Sequence, residues 1–358
     1  MKIRFIALGI LLLAGTLQAA QTRFAFVVDE EKGSYTITEN GEPVLTYLFG
    51  EVGVPAGMEA PHFSKGNTDY DGAYFTDGSE YGAARSDYIH PIYGFSGETL
   101  TVDFPADHMH HRGLSWSWCE VKRGEKIGDL WAVCKIRAYP VEITKQEAND
   151  ERAILTAVNV WRFDDETENI VKETATITVH RTTQDGGVAE RAIDVDVTLE
   201  ALVDGVSISG RQKVDYGGYG GMTIRLNEER SHYALRAVHP NPDSWRGDDA
   251  DFAERVIDPD KLGDAAWMAL SADFTAADGT QKPTTLLMME KKSTPLYPNN
   301  FRYYGTTCTS LAFPAKTHVP LEVGKPLVYQ TRTVVCEGKT TLDTEKRAFD
   351  AYQNETAK

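Results

Sequence analysis

The sequence predicts an all-β fold, a large antiparallel β-sandwich with few short helices. Three observations predict it. Short β-branched and aromatic runs recur roughly every 10–15 residues, the spacing of an antiparallel sandwich. Turn residues such as Asn40-Gly41 and Gly186-Gly187 separate those runs. No internal repeat and no linker divides the chain, so 21–358 reads as a single domain.

In chain order, residues 22–47 read as hairpins. Phe24, Phe26 and Val28 alternate, Asn40-Gly41 marks a turn, and Val44-Leu45-Thr46-Tyr47 restarts a strand. Residues 49–85 are rich in Gly, Asp and Tyr without a clear period, which reads as a long loop of the kind that is often functional. His62 falls in it without an assigned role. Residues 88–93 lead through Gly94 and Gly97 to a strand at 99–104. Further strands are expected at 133–143, 153–163, 170–180, 191–200 and 206–213. Residues 231–262 read as a polar insertion with a short helix at 251–256. Strands resume at 267–271 and 284–290, a loop near the site covers 291–304, and strands close the fold at 319–323 and 326–336. The polar tail from about 338 reads as a terminal helix with a frayed end.

The chain opens Met1-Lys2-Ile3-Arg4, continues with an apolar run at 5–17 and reaches Gln18-Ala19-Ala20-Gln21. That is the pattern of a secretory signal peptide over 1–20. The expected location is therefore periplasmic or secreted. No other run approaches the ~20 apolar residues of a membrane span. A net charge of −16 argues against nucleic acid and anionic membranes as partners. The four cysteines, Cys119, Cys134, Cys308 and Cys336, form no Cys-x-x-Cys pair. A Cys119–Cys134 disulfide between neighbouring strands and four buried thiols are both open.

The stretch 103–118 concentrates the chemistry: Asp103-Phe104-Pro105-Ala106-Asp107-His108-Met109-His110-His111-Arg112-Gly113-Leu114-Ser115-Trp116-Ser117-Trp118. Three of the nine histidines fall within four positions. Leu114, Trp116 and Trp118 alternate with serines, so a strand with period two is expected after a turn. Extended backwards, that parity puts His108, His110 and Arg112 on the indole face and His111 on the other. Titratable imidazoles, a guanidinium and flat indoles on one face suit a sugar. The bland alternative is a half-buried strand with core tryptophans and satisfied histidines. The second stretch is Asp215-Tyr216-Gly217-Gly218-Tyr219-Gly220-Gly221-Met222-Thr223-Ile224-Arg225. Its glycines allow a close backbone approach, and Arg225 could reach a ligand. It lacks the Lys-Ser/Thr of a phosphate loop.

Tyr88, Pro91 and Tyr93-Gly94, the stretch 103–114 and Gly128-Asp129-Leu130-Trp131 together resemble a bacterial exported family labelled PmoA-like, or "methane oxygenase". Tyr219-Gly220-Gly221, Arg225, Gly263 and Trp267 agree with it. A membrane copper monooxygenase needs spanning helices, which this chain lacks after its signal. The resemblance instead implies carbohydrate metabolism, since such proteins are common in polysaccharide-degrading bacteria. The layout is also similar to the supersandwich of galactose mutarotase-like enzymes, which use His and carboxylate pairs.

The leading expectation is an exported carbohydrate-active enzyme that cleaves or epimerises a sugar or glycoside without a cofactor. His108 or His110 would move a proton, with Asp107 or Glu290 as partner carboxylate. Tyr88, His111, Arg112 and Arg225 would bind substrate, and Trp116 or Trp118 would form a stacking floor. One alternative is a divalent-metal site on His108 and His110, completed by Asp107, His232 or His239. Another is a non-catalytic carbohydrate-binding protein.

Overall fold

The computed structural model describes residues 22–58, 84–185, 187–212, 217–241, 245–247, 253–304 and 308–355. The proposed signal segment and His62 lie outside the described residues. The first three strands, β1 (Phe24–Asp29), β2 (Ser34–Glu39) and β3 (Glu42–Leu48), form a meander. Asn40 and Gly41 have φ of 55° and 88°, the left-handed pair that a two-residue hairpin turn requires. β4 (Tyr88–Ile92) and β5 (Leu114–Ser117) continue the same sheet. Between them the expected strand at 99–104 reduces to the isolated bridges Tyr93–Thr99, Thr101–Leu226 and Asp103–Arg112. Phe104 has a φ of 51°, and Pro105 has no N–H to give a ladder.

The hairpin β6 (Glu120–Arg123) and β7 (Lys126–Gly128) precedes the long strands β8 (Ile136–Ala148), β9 (Arg152–Phe163) and β10 (Val171–His180). β11 (Thr183–Asp185), β12 (Val188–Ala201), β13 (Val206–Ser209) and β14 (Gly221–Arg225) follow. The insertion holds β15 (Arg230–Val238), β16 (Trp245–Gly247), β17 (Ala253–Val256) and the one-turn α1 (Pro259–Leu262). The short helix expected at 251–256 is thus a strand in its described part; parallel pairing with β15 satisfies its backbone. The chain ends with β18 (Trp267–Thr275), β19 (Gln281–Glu290), β20 (Asn300–Tyr304), β21 (Cys308–Ala312), β22 (Val319–Leu321), β23 (Leu327–Glu337) and α2 (Leu342–Asn354).

These strands form an all-β sandwich. One sheet has the order β1-β2-β3-β4-β5-β14-β21-β20-β16, the other β17-β15-β18-β19-β23-β12-β10-β9-β8. A small sheet, β22-β13-β6-β7, stands beside them. Pairing is antiparallel except at β15–β17 and β16–β20. The run Val188–Ala201 alternates strictly between buried and half-buried residues, so one face of β12 enters the core. Trp116 and Met222 of the first sheet share that core with Trp161, Ile193 and Leu286 of the second.

α2 covers part of the outer face of the second sheet, where Phe349 and Tyr352 join Trp267, Leu287 and Met289. Its first turn is capped by Thr341, which accepts a bond from the Thr344 N–H. The tail is therefore docked along most of its length. All four cysteines are buried thiols, and Cys119 and Cys134 are not bridged. The glycines before β14 do allow a close approach, but to the chain itself. A Cβ on Gly221 would stand 2.6 Å from the Leu311 carbonyl oxygen and 2.9 Å from the Phe313 nitrogen.

Candidate functional site

Residues 105–111 form a tight turn. The His108 N–H donates to Pro105 O at 3.2 Å and the His111 N–H donates to His108 O at 2.8 Å. The turn, rather than strand parity, gathers the three imidazoles. His108 stacks on His111 with centroids 4.8 Å apart, and His110 meets His111 edge-on at 4.6 Å. The expectation that His111 would face away is corrected by this geometry.

The strand that follows sorts its side chains by polarity. Leu114 and Trp116 enter the core, whereas Ser115 and Ser117 face a pocket on the outer side of the first sheet. Trp116 is buried, and its Nε1 donates to Glu173 Oε1 at 2.7 Å. Trp118 is fully buried, and its Nε1 donates to Phe313 O at 3.1 Å. Neither indole is a stacking floor, because both supply apolar area between the sheets. The indole that lines the pocket is Trp131, edge-on to His111 at 5.4 Å. It comes from the Gly128-Asp129-Leu130-Trp131 turn. Asp129 Oδ1 anchors that turn by accepting from the Ala132 N–H, and Oδ2 accepts from Arg211 Nη2 at 2.5 Å.

Arg225, at the end of β14, crosses the pocket wall. Its Nη1 donates to His111 Nδ1 at 3.1 Å, and its Nη2 donates to Asp107 at 2.7 Å and to Glu228 at 2.6 Å. Arg112 is buried, donates from Nε to Met109 O, and lies 3.3 Å over the Phe104 ring. Tyr88 does not line the pocket. Its hydroxyl donates to Asp103 at 2.9 Å, and Asp103 in turn approaches Arg112 Nε at 3.5 Å. Tyr88 therefore positions Arg112 from below. Arg85, which nothing in its local sequence distinguished, completes the wall.

Asp107 is the carboxylate that meets the histidines. Burial alone would raise its pKa, but bonds from Arg225 and His108 outweigh that and hold it at about 2. Its Oδ2 lies 3.0 Å from His108 Nδ1. Burial and then surrounding positive charge keep His110 and His111 well below the ordinary imidazole value. Arg85 feels the same crowding, since burial and the charge of Arg112 push it down to about 10.

Glu290 stands apart. It ends β19 in the other sheet, fully buried, and accepts from the Asn299 N–H at 2.8 Å and from Asn299 Nδ2 at 3.0 Å. Burial raises it to about 7, but it has no access to the histidine pocket. The distant histidines also lie elsewhere. His232 pairs with Asp273, and His239 donates to Asn299 O. Among the described residues no three His, Cys, Asp or Glu side chains converge to hold a metal ion, and the His108 and His110 rings stand 5.7 Å apart at 69°.

A second buried cluster lies between the sheets. Glu173 accepts from Trp116 Nε1 and from Trp161 Nε1 at 2.8 Å, beside Asp87, which accepts from the Tyr47 hydroxyl at 2.7 Å. Burial and then the neighbouring Asp87 raise Glu173 well above the ordinary carboxylate range. No sequence motif links these residues, which are 86 positions apart in number and meet only through strand pairing. Arg85 lines both this cluster and the histidine pocket.

No curated protein and no solved structure matches the chain. The profile of a family described as a "Family of unknown function (DUF6807)" matches residues 34–350 of the 358, and the chain belongs to that family.

Proposed function

We propose that the chain is an exported enzyme that applies histidine acid–base chemistry to a sugar or glycoside. His108 transfers the proton and Asp107 orients it. One observation carries this reading: the half-exposed His108 ring has its Nδ1 on the Asp107 carboxylate at 3.0 Å. That bond places the hydrogen on Nδ1 and leaves Nε2 to take or give a proton at the pocket rim. The residues behind it suit a hydroxylated ligand. Ser115, Ser117 and Thr223 offer hydroxyls, Arg112 and Arg225 offer N–H groups, and Trp131 offers an aromatic edge. A histidine so placed can protonate a glycosidic or ring oxygen, or remove a proton from a sugar carbon. The signal-like start and the resemblance to exported proteins of polysaccharide-degrading bacteria support export and a carbohydrate substrate.

The test incubates the protein with oxidised and unoxidised glycosides and follows the products by mass and NMR. One class is expected to be cleaved or epimerised, with His108→Gln slower by about 10²–10⁴-fold. An unchanged rate in His108→Gln, or no product from any glycoside, overturns the reading. A His108→Ala, His110→Ala protein that keeps both affinity and biological effect would replace catalysis by binding alone.

A further inference from the structure

We infer that the substrate carries an anionic oxygen group, a carboxylate or a sulfate or phosphate ester, and that this group sits against Arg85, Arg112 and Arg225. The inference rests on the sugar reading above and narrows it to acidic or esterified sugars. The chain as a whole is acidic, with 53 Asp and Glu against 37 Lys and Arg. Yet among the described residues no carboxylate lines this pocket, whereas three arginines do. The acids that pair with those arginines reach them from the side: Asp103 on Arg112, and Asp107 and Glu228 on Arg225. The inner wall is left with guanidinium, hydroxyl and indole donors.

Two of those donors are unsatisfied. Arg225 Nε and Ser117 Oγ are buried atoms without a hydrogen-bond partner among the described residues, and each belongs to a side chain about 1% exposed. A buried charged donor left without an acceptor is unfavourable, so the pocket is preorganised for one. Arg225 cannot swing away, because its other two nitrogens are held by His111, Asp107 and Glu228. His111 accepts from Arg225 through Nδ1, which leaves its Nε2–H as a further donor. A neutral hydroxyl satisfies one such donor. Only a charged acceptor gains from all the guanidinium groups at once. The cavity is about 10 Å³, room for one oxygen-sized group and far below the ~300–1,000 Å³ of a pocket that encloses a whole ligand. One end of the substrate enters it, while the remainder lies toward His108.

The test is calorimetric titration of the full-length protein with methyl glucoside, glucuronate, glucose 6-sulfate, glucose 6-phosphate and inorganic sulfate. An acidic sugar is expected to bind about tenfold or more tighter than methyl glucoside, with the gap shrinking as NaCl rises. Whether glucuronate or an ester binds best identifies the source of the charge. Ser117→Ala removes a hydroxyl that bonds nothing among the described residues, so it folds, and it is expected to narrow the gap severalfold. Equal binding of neutral and acidic sugars overturns the anion and leaves the sugar reading intact. Sulfate binding with no sugar bound keeps the anion and overturns the sugar reading. No binding by any of the five overturns both.

Discussion

Arg225 Nη1 donates to His111 Nδ1 across 3.1 Å, and this one bond fixes the state of the histidine cluster. A nitrogen that accepts from a guanidinium cannot also carry a proton, so His111 is neutral with its hydrogen on Nε2. The neighbouring His110 is kept neutral by burial and by the charges of His108 and Arg211. The site therefore holds neutral imidazoles inside and the half-exposed His108 at the rim.

The first prediction concerns pH and stability. Burial and adjacent charge put His111 and His110 below the ordinary value in the folded protein, whereas unfolding returns both to ~6.5. The unfolded state then binds more protons as pH falls, so this contribution is complete above ~6.5 and lost below it. Urea unfolding at pH 8, 6 and 5 is expected to show a falling midpoint. His111→Asn retains an acceptor for Arg225 and should flatten the slope. Identical slopes in the two proteins would rule out His111 as its source.

The second prediction separates the tryptophans. Trp118→Phe loses a buried bond to Phe313 O and some packing against Trp161, and should lower stability by about 1–3 kcal/mol. It should leave ligand affinity unchanged. Trp131→Ala opens the wall of the pocket beside His111 and should weaken glycoside binding by about tenfold. Affinities and urea midpoints of the two variants check this, and the opposite pattern would restore Trp118 as a ligand platform.

These two residues also show what the sequence could convey. Alternation of Leu114, Trp116 and Trp118 with serines specified a strand and its two faces, and the indoles took the core face because apolar area belongs there. The candidate pocket lies on the serine face. Period two does not reach back over His108–His111, where a turn that begins at Pro105 replaces the strand. Arg85 and Arg211 lie far from the motif in sequence, and Trp131 sits in a separate turn after it, so only the folded chain brings them beside the histidines. Glu290 had suitable chemistry, but its strand belongs to the opposite sheet. The long strands were legible because β-branched residues alternate through them, as in Val171–His180.

A third prediction addresses the buried carboxyl of Glu173 between the sheets. Glu173 accepts two indole N–H groups and is pushed upward by burial and by Asp87 beside it. Gln in its place keeps one acceptor and turns an N–H₂ toward the other indole. Glu173→Gln should lower stability by about 1–3 kcal/mol, and Glu173→Leu by roughly twice that, since it strands both indole donors. Chemical denaturation at pH 7 measures both. Wild-type stability in the Leu variant would show that the indoles find other acceptors.

The fourth prediction tests why glycine follows the arginine of the motif. Gly113 has a φ of 39°, and a Cβ there would run into the Ile89 carbonyl oxygen and stand 2.8 Å from the His90 side chain. Its own backbone is fixed on both sides: its N–H donates to Val102 O, and its carbonyl accepts from the Arg225 N–H at 2.7 Å. Gly113→Ala must therefore displace either β4 or the turn that carries His111 and Arg112. Gly205 is a suitable control, with a φ of 79° and nothing within 4 Å of an added Cβ. Gly205→Ala should lose only the left-handed penalty of about 1–2 kcal/mol. Gly113→Ala adds a clash with backbone and should lose about 3 kcal/mol or more, with activity falling before the fold does. Equal losses in the two variants would mean that β4 yields freely, and that the tight contact with Ile89 does not hold the histidine turn in place.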